Sequence, residues 1–180
     1  SLDYHLGYPL DILRNGNFPR YDWFHSWLIG IGDYVNYFGL LIGSKNIGQM
    51  INFFGLLIIY NNFKFLKDKF KINNQIFLFL FSTPLLIWFI TSQKPQLFPA
   101  AVIFTSFILL DINFRNIYLK FLIITIFLIY VFLSKISFMF SMVVIYLYLI
   151  FLNKNSLGKL FLCSLIALLF TLPIFLKNTY

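Results

Sequence analysis

The sequence predicts an all-α fold: a polytopic transmembrane helical bundle with an N-terminal extracytoplasmic loop and interfacial helices. Three observations carry this. Hydrophobic residues make up 60% of the 180-residue chain and charged residues 11%, with a mean hydropathy of +0.83, whereas a soluble domain is nearer a quarter charged. Apolar runs approaching the ~20 residues that cross a hydrocarbon core recur along the chain. The basic residues sit in short clusters between those runs, so the formal charge of +8 is read as membrane topology and not as a nucleic-acid footprint.

The head of the chain differs from the rest. "DYHLGYPLDILRNGNFPRYDW", residues 3–23, holds Asp3, Asp11 and Asp22, three of the six acidic residues, beside His5, Arg14, Arg20 and several aromatic rings. Residues 1–45 are assigned to an extracytoplasmic loop with interfacial helices, and 46–180 to a transmembrane region of about six spans. Within the first segment, the stretch from Phe24 to Gly43 is long enough to cross but carries Asp33 and Asn36 one helical turn apart, among Gly30, Gly32 and Gly39. A carboxylate at mid-bilayer costs roughly 2.5–3.5 kcal/mol, and a crossing here would turn the lysine cluster that follows outward. An interfacial or re-entrant helix is therefore expected, with Trp23, Trp27, Tyr34 and Tyr37 at headgroup level.

The expected spans are 47–63, 74–92, 97–111, 117–134, 136–152 and 157–176. Pro84 lies inside the second and should kink it by removing a backbone donor. The 97–111 run is short for a crossing, and 117–152 can also be read as one hairpin bent at Ser134–Ser137. Lys64, Lys67, Lys69 and Lys71, then Arg115 with Lys120, then Lys154 with Lys159 fall at alternate ends of these runs. The positive-inside bias makes those ends cytoplasmic, so the head segment, the Lys94 loop and the Lys135 bend face outward. No short-period repeat is evident. The chain is expected to be a fragment, since it opens on Ser1 and stops at Tyr180 directly after an apolar span. Its single cysteine, Cys163, excludes a disulfide framework or a CxxC site. The richness in Phe, Ile, Asn and Lys is that of an AT-rich genome.

An outer segment of Asp, His, Arg and aromatics is what a reaction on a lipid-tailed substrate needs. A carboxylate can deprotonate an acceptor hydroxyl, arginine binds phosphate bidentately, and aromatic faces hold sugar rings. The same residues also make a solvated loop whose carboxylates offset nearby arginines. Asp3, His5, Asp22, His25 and Asp33 are ordinary ligands for a divalent metal, but their spacing matches no compact ligand motif, and no cofactor is expected. Asp68 and Asp111 read as structural partners of the lysine cluster and of Arg115. A transporter or flippase would place ionisable groups at mid-span. Here the spans carry charges only near their ends, apart from Lys120, which can snorkel. A non-catalytic membrane subunit is the other alternative.

Read as a whole, the chain resembles the polytopic membrane glycosyltransferases of the GT-C type, which include protein O-mannosyltransferases and the lipid A aminoarabinose transferase. "YHLGYPLDILRNGNFP" is similar to that family's first extracytoplasmic loop, where an Asp precedes a Tyr or Tyr-His pair and a short surface helix ends in a Gly turn. "WLIGIGDYVNYFGLLIG" is similar to a second surface helix, with Gly32-Asp33 at a Gly-Glu position of bacterial members. "INFFGLLIIY" resembles the next span, "SQKPQLF" a Lys-Pro-Asp loop, Lys135 a lysine at a hairpin bend, and "LPIFLKNTY" the approach to another outer loop. The chain departs from the pattern twice. Gln96 replaces the Asp of Lys-Pro-Asp, and the essential Asp, four positions before the Tyr, would fall just before Ser1.

The resemblance implies an integral protein of the bacterial inner membrane with its active site facing the periplasm. Its partners would be a polyprenyl-phosphate-linked sugar, a lipid, glycan or protein acceptor, and membrane lipids, with no nucleic acid. Asp3 and Asp33 would be the catalytic carboxylates, the base being Asp3 or a residue just upstream. His5, Arg14, Arg20, Lys94 and Lys135 would bind substrate or leaving-group phosphate, although each cation is equally at home as an interfacial snorkelling residue.

Overall fold

The computed structural model describes residues 6–16, 30–94 and 96–176. Its helices are α1 (Gly7–Asn15), α2 (Ile31–Leu41), α3 (Ile47–Phe70), α4 (Asn74–Phe81), α5 (Pro84–Thr91), α6 (Leu97–Asp111), α7 (Ile117–Ser134), α8 (Met139–Leu152) and α9 (Leu157–Leu176), with 3-10 turns at Ile136–Phe138 and Lys154–Ser156. The fold is all-α, and no strand occurs among the described residues. The chain divides into two compact units, Ser1–Ala101 and Val102–Tyr180.

By length and composition α7 can cross a membrane, and α8 with Lys154–Leu169 forms a second apolar stretch bent by 89° at its break. That gives one candidate crossing among the described residues, or two if the bent pair counts as one span. The other expected spans are helical but shorter, broken or interrupted by polar residues. α6 has 15 residues, a rise of ~22 Å, and α2, within the Phe24–Gly43 stretch, has 11, a rise of ~16 Å.

In the first unit, α1 packs on α2, and α2 on α3. Two details differ from the sequence reading. The loop expected to begin at Lys64 begins only at Lys71, because α3 runs on through the lysine cluster to Phe70. Lysine is a good helix former, and cations in a last turn complement the helix dipole. Lys71 then closes the helix in the left-handed conformation (φ 52°), its N–H bonded to Lys67 O. Pro84 does not kink a continuous helix; the helix stops and restarts. Thr83 is extended (φ −69°, ψ 127°), as the residue before proline prefers, and Pro84 opens α5, where its missing N–H has no helical partner to lose. The broken pair still runs antiparallel to α3. Phe81 sits edge-on to Tyr60 at 5.5 Å and to Phe63 at 6.0 Å, while Gln49, near the start of α3, donates to Thr91 O at 2.8 Å.

The second unit is a three-helix layer with α7 as its spine. Phe121, Ile124, Leu128 and Val131 of α7 are buried at the three- and four-residue spacing that keeps side chains on one helix face. Phe121, Ile124 and Leu128 share a core with Leu110 of α6, Ile145 and Leu149 of α8, and Leu160 and Cys163 of α9. Tyr146 and Ser164 share a hydrogen bond of 2.7 Å, and Cys163 Sγ approaches Tyr118 O at 3.5 Å. The opening turns of α9 therefore lie against the opening turn of α7, and α9 leaves α8 at 89°. The 117–152 stretch is a helical hairpin turned at Lys135, which is extended (φ −164°).

Candidate functional site

The openings of α2 and α3 carry the same pattern, and this corrects the reading that no repeat is present. Residues 31–42 are "IGDYVNYFGLLI" and residues 47–58 are "IGQMINFFGLLI", identical at eight of twelve positions with an offset of sixteen. The repeated Gly-x3-Asn-x2-Gly places two glycines and an asparagine on one helix face. In both copies that face is the buried one: Gly32, Asp33, Asn36 and Gly39 in α2, and Gly48, Asn52 and Gly55 in α3.

Both asparagines grip the loop between α5 and α6. Asn52 is fully buried, and its Nδ2 donates to the carbonyls of Phe89 (3.2 Å), Ser92 (3.0 Å) and Lys94 (2.7 Å). Its Oδ1 accepts from the N–H groups of Gln96 (3.3 Å) and Leu97 (3.1 Å). One side chain thus satisfies the carbonyls left over at the end of α5 and the N–H groups that open α6, which would otherwise be costly to bury. Asn36, 1% exposed, donates to Gln93 O at 3.2 Å, and Gln93 Nε2 donates onward to Lys45 O at 2.7 Å. Gln93 Oε1 is buried with no hydrogen-bond partner among the described residues.

The glycines let the loop come this close. A Cβ on Gly55 would lie 2.6 Å from Phe98 N and 2.7 Å from Leu97 C, and one on Gly48 would lie 2.6 Å from Gln93 Oε1. Backbone cannot yield at such distances, so the start of α6 crosses α3 only because position 55 has no side chain.

Around this clamp stand some of the residues singled out from sequence. Asp33 is buried at 6% exposure in the first turn of α2, where its Oδ2 accepts from Gly30 N at 3.2 Å, as a helix-capping carboxylate does. Lys94 is half-buried; its carbonyl is held by Asn52 and its Nζ lies 5.8 Å from the centre of the Trp88 ring. Arg14 is exposed in the last turn of α1, which ends at Gly16 in the left-handed conformation (φ 65°) with Gly16 N bonded to Ile12 O at 2.9 Å. Lys135 belongs to the second unit, where its N–H donates to Val131 O at 3.1 Å. Asp3, His5 and Arg20, with Asp22 and His25, lie outside the described residues.

The structure brings Asp33 and Lys94 into one neighbourhood. Asp33 is one helical turn from Asn36, and Asn36 is bonded to the residue before Lys94. No three metal-ligating side chains gather among the described residues. Of the two acids expected to be structural partners of basic residues, Asp111 acts electrostatically on Lys120, whose Nζ donates to Leu110 O (2.8 Å) and Ile112 O (3.1 Å) at the end of α6. Sequence reasoning missed Gln49, Asn52 and Gln93. The signal that finds the first two is the repeat itself, since an asparagine between two glycines at helical spacing is improbable on a lipid-facing surface.

Searches of curated proteins and of solved structures give no match. A family model spans the entire chain, residues 1–180: the chain belongs to the DUF1420 N-terminal domain family.

Proposed function

We propose that this domain is part of a polytopic membrane glycosyltransferase that moves a sugar from a polyprenyl-phosphate donor to an envelope lipid, glycan or protein acceptor on the outer face of a bacterial inner membrane. The observation that carries the reading is the clamp. It ties an acid-bearing helix, α2, to a cation-bearing loop through the Asn36–Gln93 bond. A transferase of this kind needs that pairing, with an acid side to receive the acceptor proton and a cation side to stabilise the departing phosphate. α1, the helix of the head segment, packs against α2. In this scheme Asp3, or a carboxylate just upstream, is the base, and Asp33 of α2 is the second catalytic carboxylate. Lys94, with Arg14, Arg20 and His5, supplies phosphate contacts.

Membrane embedding is supported by what the helices leave uncovered. A third of the α7 window is buried, and Phe140 of α8 and Phe161 of α9 are 80% and 70% exposed. A water-soluble core helix buries its apolar surface, whereas helices apolar all round belong in lipid. The additional spans of the six-span scheme are part of the proposal.

The test is transfer of radiolabelled sugar from polyprenyl-phosphate donors in membranes holding matched amounts of the parent, Asp3→Asn and Asp33→Asn. Loss of a general base should lower the rate by ~10²–10⁴-fold. Rates within about threefold of the parent for both variants, a barrier difference of only ~0.65 kcal/mol, would refute the assignment. The capping bond and burial of Asp33 favour one second reading, a non-catalytic membrane subunit. A parent that transfers no sugar from any such donor would favour it.

A further inference from the structure

We infer that the end of the second unit formed by residues 111–120 and 153–163 is a binding surface for the headgroups of anionic phospholipids. The inference rests on the membrane part of the reading above and not on the transferase part.

The packing of α9 on α7, with their opening turns in contact, brings together two segments far apart in sequence, the one that leads into α7 and the one that leads into α9. Lys159 Nζ lies 5.3 Å from the centre of the Tyr118 ring, and Cys163 reaches the Tyr118 carbonyl. Lys154, in the 3-10 turn before α9, holds its ammonium 4.5 Å from the centre of the Phe151 ring. Arg115 stands just before α7 and, like Lys154 and Lys159, is exposed. Lys120 is turned inward to the carbonyls that end α6. The opposing charge is small, because Asp111 is the one acidic side chain in residues 102–180.

The choice of partner follows from what borders the cations. Tyr118 and Phe151, the rings under the two ammonium groups, are 44% and 61% exposed, and Leu119, Leu152 and Leu157 beside them are 46–48% exposed. A nucleic acid or an acidic peptide docking on the cations would press its polar backbone against this hydrocarbon. A phospholipid presents an anion and then an acyl chain in the order that the protein presents cations and then apolar side chains. Lysines lying over aromatic rings at such a border keep their stems in hydrocarbon and their charge at headgroup level.

The test is native mass spectrometry of the detergent-solubilised chain. It is titrated with phosphatidylglycerol, with phosphatidylcholine of the same acyl chains, and with phosphatidylglycerol in excess inorganic phosphate. The parent should bind phosphatidylglycerol in preference, phosphate should not displace it, and R115Q/K154Q/K159Q should weaken the tight component by roughly a hundred-fold, about fivefold per cation. K64Q/K67Q/K69Q, which removes as much charge from the first unit, should leave that component in place. The charge-keeping R115K/K154R/K159R should retain the preference, which separates lost charge from lost folding. Equal binding of the two lipids by the parent, retention within threefold in the glutamine variant, equal losses in both glutamine variants, loss in the charge-keeping variant, or displacement by inorganic phosphate would each overturn the inference. Sugar transfer is independent of these outcomes, so a failed transferase assay leaves this result standing.

Discussion

Asn52 shows how much one buried amide can organise. Its five hydrogen bonds go to backbone groups between the last turn of α5 and the first residue of α6, and each buried backbone group left without a partner costs ~1–3 kcal/mol. Asn52→Ala is therefore expected to destabilise the first unit by ~3 kcal/mol or more, measured by SDS or urea titration in mild micelles. Asn36→Ala, which gives up the bond to Gln93 O, should cost less, ~1–2 kcal/mol. Equal losses would mean that the loop is not held chiefly from α3. At this scale the sequence was partly legible. Asp33, Asn36 and Lys94 stand out by type, as polar residues in an oily chain, and the structure gathers them in one neighbourhood. Asn52 and Gln93 did not stand out, because what they do depends on where α5 stops, and that stop follows from the Thr83–Pro84 break and the return of the chain along α3.

At the scale of elements, apolar runs and lysine clusters located the helices well, and the misreadings occurred at the end of α3 and at the Thr83–Pro84 break inside the second run. Lysine is hydrophilic yet helix-forming, so hydropathy ended the first run at residue 63 while backbone hydrogen bonding carries α3 to Phe70. Its 24 residues rise ~36 Å, somewhat more than a hydrocarbon core of ~30 Å, and its two ends differ sharply in chemistry. Lys45, exposed just before α3, accepts at its carbonyl from Gln93; Lys69, also exposed, lies in the last turn. If α3 spans the bilayer as proposed, a membrane-impermeant maleimide applied to intact cells should label Lys45→Cys and spare Lys69→Cys, each in a Cys163→Ser background. Labelling of both from the outside would show that α3 does not cross.

At the scale of the molecule, composition was enough for the helical class, because a chain this poor in charge and rich in apolar runs has few other ways to satisfy its backbone. The division at Ala101 was not legible, since α6 runs through it without a change in composition. The duplicated opening of α2 and α3 bears on how the chain chooses its fold. Two segments with the same buried face can compete for one loop, so a folding chain must decide which copy takes which groove. The third position of the repeat differs, Asp33 in one copy and Gln49 in the other. In the exchanged arrangement a carboxylate would face the Thr91 carbonyl, to which Gln49 donates, and an ionised carboxylate has no proton to donate. An aspartate at this position would therefore raise the energy of the swapped register and mark the copy that belongs in α2. Asp33→Gln should remove the mark and let refolding from denaturant into micelles yield a second, protease-sensitive population beside the native one. A single refolded population identical to the parent's would show that the two copies are told apart by something else.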